Sequence, residues 1–154
     1  MATYEEMRAA LLARTGAEFG RGASQQTIAD AEREVGAMPD DYKRYLRDFG
    51  WVAFDSFEFW GLGDDLPHRS LDTVAMTLQE RRLGGLPDDM VGFYNDGAGN
   101  IECFDTRVSA TDQPYGVFCF FHENRRLYRD ADSFTDYVME RLDAMSGGSR
   151  LNHS

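Results

Sequence analysis

Residues 27–50, TIADAEREVGAMPDDYKRYLRDFG, hold the densest set of mutually consistent local signals in the chain. Thr27 followed by Asp30 suits a helix N-cap, and Ile28, Ala31 and Val35 then recur along one helical face. Gly36 marks the stop. Pro39 belongs in the first turn of a second helix, Asp40 and Asp41 put carboxylates at the positive end of its dipole, and Gly50 supplies the left-handed exit. Tyr42, Tyr45, Leu46 and Phe49 form an i, i+3, i+4, i+7 stripe, with Lys43, Arg44 and Arg47 off it. Two short helices meeting at Met38-Pro39 therefore carry aromatic faces that require a sheet to pack against. The stripe reads as core and not as a ligand site.

Upstream, Thr3 and Glu6 repeat the capping-box spacing, which predicts a helix from Thr3 to Arg14 with Tyr4, Met7 and Leu11 on its apolar face. Residues 16–24, GAEFGRGAS, are a glycine-rich connector; no P-loop lysine follows them. Downstream, WVAFDSFEFWGLG predicts a β-hairpin turning at Asp55-Ser56, with Phe57 and Phe59 on one face and Glu58 and Trp60 on the other. Ser70 is placed to cap a helix carrying Leu71, Val74, Ala75 and Leu78, which ends at Arg81-Arg82 before Gly84-Gly85. A second hairpin pairs Val91 to Tyr94 with Ile101 to Asp105 across the turn residues Asn95-Asp96-Gly97 and Gly99-Asn100. The oxygens of Asn95, Asp96, Asn100 and Glu102 lack the spacing of a calcium loop and are read as turn chemistry. The run YGVFCFFHE, residues 115–123, predicts a strand buried on both faces, followed by a short strand near Leu127 to Arg129. Ser133 caps a last helix with Asp136 at its third position and Phe134, Tyr137, Val138, Leu142 and Met145 facing inward. Residues 146–154 are expected to form a flexible tail.

At 154 residues the chain is expected to form one domain, residues 1–145, large enough to bury a core without metal or disulfide. Its 27 acidic and 16 basic residues leave a formal charge of -11, which argues against direct binding to nucleic acid or an anionic membrane and favours a basic partner. The N-terminal stretch carries acids early and reads neither as a signal peptide nor as a membrane span, so a cytoplasmic protein is expected. Cys103 and Cys119, in aromatic, strand-like surroundings, read as two reduced, buried thiols, with a disulfide or a metal pair as the alternatives that no spacing supports.

No nucleophile elbow, HExxH, CxxC, Walker or dinucleotide motif occurs, and His68, His122 and His153 have no metal-like spacing. No cofactor, metal or catalytic residue is expected, and an enzyme working through loop carboxylates ranks third among the functional readings. The segment from 60 to 68 joins a large aromatic to adjacent loop acids, so Trp60, Asp64, Asp65 and His68 are the candidate partner-binding residues. The competing reading makes Trp60 core and the two aspartates turn solvation.

The stretch Ile28 to Leu142 resembles the SUKH superfamily in its Smi/Knr-type, SUKH-1-like form. The matching pieces are Ile28 through Val35, then Met38-Pro39-Asp40-Asp41-Tyr42 with Tyr45-Leu46 and Gly50, similar to the family's leucine-proline-x-x-tyrosine helix signature. Phe59-Trp60-Gly61-Leu62 follows, then Asp96-Gly97-Ala98-Gly99-Asn100 leading to Cys103-Phe104-Asp105, and finally Ser133-Phe134. Met38 stands where leucine is usual, a swap of nearly equal volume. The resemblance implies a single α+β domain with a central mixed or antiparallel sheet and helices mainly on one side. It also implies an immunity protein that binds and occludes a cognate toxin domain, often a nuclease. The alternative is a regulatory interaction module of the same fold. The shared motifs are structural and do not mark a toxin-contacting surface, and exposed hairpin edges leave monomer and homodimer both open.

Overall fold

The computed structural model describes residues 2–109 and 115–151, with the side chains of 109 and 145–151 excepted. In chain order the elements are α1 (Tyr4–Ala13), β1 (Glu18–Phe19), α2 (Gln25–Val35), α3 (Asp40–Asp48), β2 (Val52–Phe54), β3 (Phe57–Phe59), α4 (Thr73–Gln79), β4 (Met90–Asn95), β5 (Ile101–Asp105), α5 (Thr106–Ser109), β6 (Val117–Phe121), β7 (Arg126–Ala131) and α6 (Phe134–Leu151). A 3-10 turn at Arg69–Leu71 precedes α4, and a π-helical turn at Glu80–Gly84 follows it. The fold is α+β, but its strands form two antiparallel sheets where one central sheet was expected: β1-β2-β3 and β4-β5-β6-β7.

The second sheet is the platform. Its register sets Phe104 and Val91 on one face, while Gly92, Cys103, Ile101 and Phe120 share the other. A register shift between Gly92 and Tyr94 breaks the alternation of β4, and Phe93 and Tyr94 both enter the main core. There Phe93 and Phe104 stack at 5.6 Å, and Phe134 of α6 meets Phe93 at 5.2 Å and Tyr42 of α3 at 5.0 Å, both edge-on. This aromatic packing, joined by Tyr45, Phe49, Phe59 and Tyr137, is what the stripe of α3 required. A second cluster, containing Trp51, Trp60, Leu71, Leu86 and Met90, fills the opposite face over Ile101, Cys103 and Phe120.

Several local expectations hold. Thr3 and Glu6 form a reciprocal capping box on α1, and α3 begins at Asp40 and leaves through Gly50 at φ +77°. Both hairpins turn where expected, and Ser133 accepts the Asp136 N–H at 3.0 Å at the start of α6.

Other expectations are corrected. The cap of α2 is Ser24, whose Oγ accepts from the Thr27 N–H at 3.1 Å, so the helix starts one turn earlier than Thr27 suggested. Asp72, not Ser70, caps α4 and accepts the Ala75 N–H at 2.9 Å; Ser70 lies in the 3-10 turn. β6 is not buried throughout on both faces: Val117 and Phe120 are buried, Phe118 and Cys119 are half-buried, and Phe121 is exposed. The backbone of α6 is helical to Leu151; of the expected tail, residues 152–154 lie outside those described. Cys103 and Cys119 are free thiols on neighbouring strands. Cys103 pairs with Phe118 and Cys119 with Glu102, so the two thiols point to opposite faces of the sheet.

Candidate functional site

The β3 strand runs out of the small sheet toward β4, and the link is polar and buried. Trp60 donates its N–H to the Phe93 carbonyl at 2.8 Å, and its own carbonyl accepts from the Tyr42 and Tyr45 hydroxyls at 3.0 and 3.1 Å. Tyr42 also shares a 2.7 Å bond with the Thr73 hydroxyl at the start of α4. Both tyrosines are fully enclosed, and burial drives their phenol pKa values up, so they remain neutral donors. Beside them the backbone closes tightly. A Cβ on Gly61 would lie 1.6 Å from the Gly50 carbonyl oxygen, so only glycine permits that approach.

Trp60 is 2 % exposed, and its ring lies over Gly92, where a Cβ would come within 2.7 Å of the indole. The indole forms the floor of a cleft of about 340 Å³ between the β2–β3 hairpin and the β4–β5 turn, with Glu58, Ser70, Tyr94, Asn95 and Asp96 around it. His68 stands at the rim. Its Nδ1 contacts the Ser70 hydroxyl, and its Nε2 lies 3.6 Å from a Glu58 carboxylate oxygen. Trp60 and His68 are thus brought to one cleft through Glu58 and Ser70. Asp64 and Asp65 are tied elsewhere: Asp65 accepts the Arg21 backbone N–H at 2.8 Å, and Asp64 pairs with the Arg21 guanidinium at 3.2 Å.

The turn that closes the cleft is built by its own side chains. Asp96 accepts from the N–H groups of Ala98 and Asn100 at 2.8 and 3.1 Å, and Asn95 accepts from Gly97 at 2.8 Å. Asn100 in turn holds the His122 backbone N–H at 3.2 Å, which gives that histidine a structural place. The oxygens read as turn chemistry are engaged as such, with one exception.

That exception is Glu102. On β5 it faces inward opposite Cys119, is 4 % exposed, and leaves Oε1 without a hydrogen-bond partner. Burial first, and the neighbouring Asp130 carboxylate second, raise its pKa to about 9, against the weaker opposing pull of Arg141 and Tyr137. The same surroundings push the Cys119 thiol up to about 12, burial being the larger cause. Sequence reasoning assigned Glu102 to a turn. Strict alternation from the buried Ile101 and Cys103 would have kept it on the opposite face of β5, but that face is covered by α6.

Asp41 presents the reverse case. Its Oδ1 accepts from the Tyr42 N–H and the Tyr115 hydroxyl at 2.9 and 2.6 Å, and its Oδ2 accepts from the Thr135 N–H and hydroxyl at 3.0 and 2.9 Å. The Tyr115 hydroxyl oxygen also accepts the Phe134 N–H at 2.6 Å. One carboxylate at the start of α3 therefore organises the start of α6. Likewise Arg81 reaches from the π-helical turn to the carbonyls of Val35 and Met90 at 2.6 and 2.9 Å, placing a cation at the carboxyl end of α2. Among the described residues, no group of three or more His, Cys, Asp and Glu side chains is arranged to hold a metal ion, and no helix is long and apolar enough to cross a membrane.

A proline-x-x-tyrosine helix that locks a β-hairpin to an antiparallel sheet defines the domain as an SUKH-type α+β module. The chain belongs to the SUKH_5 family, described as SMI1-KNR4 cell-wall, whose model matches residues 3–143. This places it in the superfamily without placing it in the SUKH-1 branch. No curated protein matches the chain. The motif residues are now explained by the fold: Met38 and Tyr42 are core, Asp41 joins two helices, Trp60 and Gly61 close the hairpin, and Asp96 to Asn100 shape a turn.

Proposed function

We propose that this chain is a cytoplasmic, non-enzymatic immunity protein that binds a basic toxin domain one to one and occludes it. The observation that carries the reading is a formal charge of -11 on a domain that belongs to the SUKH superfamily. Such a charge accelerates encounter with a cationic surface, such as the phosphate-binding groove of a nuclease, and disfavours competing acidic partners.

The contact surface we propose is the segment from 60 to 68 with the cleft beside it. Glu58 and His68 are exposed at its rim, their side chains 56 % and 47 % accessible, and suit a cationic side chain from the partner. Asp64 and Asp65 extend the acidic surface around Arg21. Trp60 contributes from below by holding the cleft floor, so truncating it tests the fold before it tests the contact. His68→Ala and Glu58→Lys are the informative changes.

The test is co-expression with the C-terminal domain of a large secreted protein encoded beside this gene, scoring host survival and co-purification. Rescue with a co-purifying complex whose affinity falls as salt rises supports the reading. Host death without binding, with the protein folded, removes it. The cell-wall wording of the family description favours a second reading, a regulatory interaction module whose partners are cell-wall enzymes.

A further inference from the structure

The two outer edges of the four-stranded sheet differ. The β4 edge is closed: Phe93 accepts from Trp60, Gly92 donates to the Thr77 hydroxyl at 3.1 Å, and Arg81 takes the Met90 carbonyl. The β7 edge has no such cover among the described residues; the Arg126 N–H is taken by the Asn124 side chain at 3.0 Å, at the turn end. Four successive β7 residues, Arg126 to Arg129, are exposed. Three of the large apolar side chains that remain exposed gather on this hairpin, namely Phe121, Leu127 and Tyr128 at 38, 39 and 45 %. Phe121 and Tyr128 pack edge to face at 5.0 Å beside a depression that also touches Cys119 and Asp130. A free, partly apolar edge, bulged only at its Asp130 end where the register with β6 shifts, is a template for another strand.

We propose that two copies of this chain pair through β7, antiparallel about a twofold axis at Tyr128, joining their sheets into one. The sequence of the strand selects this register. Centred on Tyr128, Arg126 of each copy faces Asp130 of the other and the two Tyr128 rings meet, with Phe121 alongside. Centred one residue later, Arg129 faces Arg129 and Arg126 meets an acid, Asp132, only past the strand end at Ala131; centred one earlier, Leu127 faces itself and Arg126 faces Tyr128, so there neither Arg126 nor Asp130 gains an opposite charge. Opposite charges directly across an antiparallel pair stabilise it and like charges destabilise it. Arg126 makes no ion pair with any described residue, whereas Asp130 is also approached by Arg141 at 3.4 Å. The twofold contact is self-complementary and closed, so it ends at a dimer.

Sedimentation over a concentration series is the test, on wild type, Arg126→Asp, Asp130→Arg and an equimolar mixture of the two variants. Wild type dimerises, and each variant alone, with like charges opposed twice, dissociates by about tenfold or more. The mixture restores the dimer, because at both paired positions the acidic side chain then comes from one variant and the basic side chain from the other. A wild type that stays monomeric overturns the proposal, as does a dimer indifferent to both reversals or variants that fail to recover on mixing. Should either variant not fold, hydrogen exchange on wild type decides: amides of Arg126 to Asp130 gain protection as concentration rises, and unchanged exchange rejects the interface.

Discussion

Asp41 and Glu102 are the same functional group in two settings, the first half-buried at a helix junction and the second buried in the sheet. Asp41 sits at a helix start, where four donors from α3, α6 and the segment leading into β6 converge on its two oxygens. Glu102 sits mid-strand under α6 with one oxygen unpartnered and a second carboxylate beside it. The first is a joint that the fold depends on, and the second is a cost that the fold tolerates. A carboxylate thus gains its meaning from the donors that reach it together with its depth.

Removing the joint has the largest expected effect. Asp41→Ala strands the Tyr115 hydroxyl and the Thr135 N–H and hydroxyl, and should lower unfolding free energy by about 2–4 kcal/mol in urea titration. A loss below about 0.5 kcal/mol would erase the contrast. Glu102→Gln should act in the opposite direction, raising stability by on the order of 1–2 kcal/mol at mildly alkaline pH.

The pH dependence sharpens the same contrast. Glu102 has its folded pKa raised from 4.5 to about 9, so its stabilising contribution is complete below about pH 4.5 and is lost as pH climbs toward 9. The unfolded chain releases the proton over that window while the folded one retains it. Melting temperature across the window should therefore fall less steeply in Glu102→Gln than in wild type.

A smaller effect is expected from Tyr115→Phe, which removes one donor to Asp41 and one acceptor for Phe134. It should cost about 1–2 kcal/mol, and combined with Asp41→Ala the losses should be far from additive, since both act on one network. The smallest change is expected at Asp64, whose side chain is 89 % exposed. Asp64→Asn should leave the melting temperature unchanged and register only in partner affinity, with the loss shrinking at high salt.

The helix pair from Ser24 to Gly50 was legible because its signals are local: capping oxygens, a terminal glycine and a stripe of aromatics one turn apart. Local signals also misplaced two caps, because several hydroxyls and carboxylates near each helix start compete for the same N–H groups. Ser24 lies a full turn before Thr27, and Asp72 just after Ser70, and only the realised backbone decides between them. At the candidate site the aromatic and the histidine were recognisable, but their joint cleft was not. Glu58 and Ser70 link them across a distance that no spacing rule spans, while Asp64 and Asp65 turn toward Arg21.

By itself the sequence determined the α+β composition, the hairpins and most helix ends, and the acid excess, since each follows from residues within a turn of one another or from simple addition. The tertiary structure alone decided that the strands divide into two sheets, that Trp60 is buried as the floor of a cleft, and that nothing among the described residues pairs with the outer edge of β7. It also separated Asp41 from Glu102. Those outcomes depend on which donors and apolar faces arrive from distant parts of the chain, and burial converts that arrival into energy.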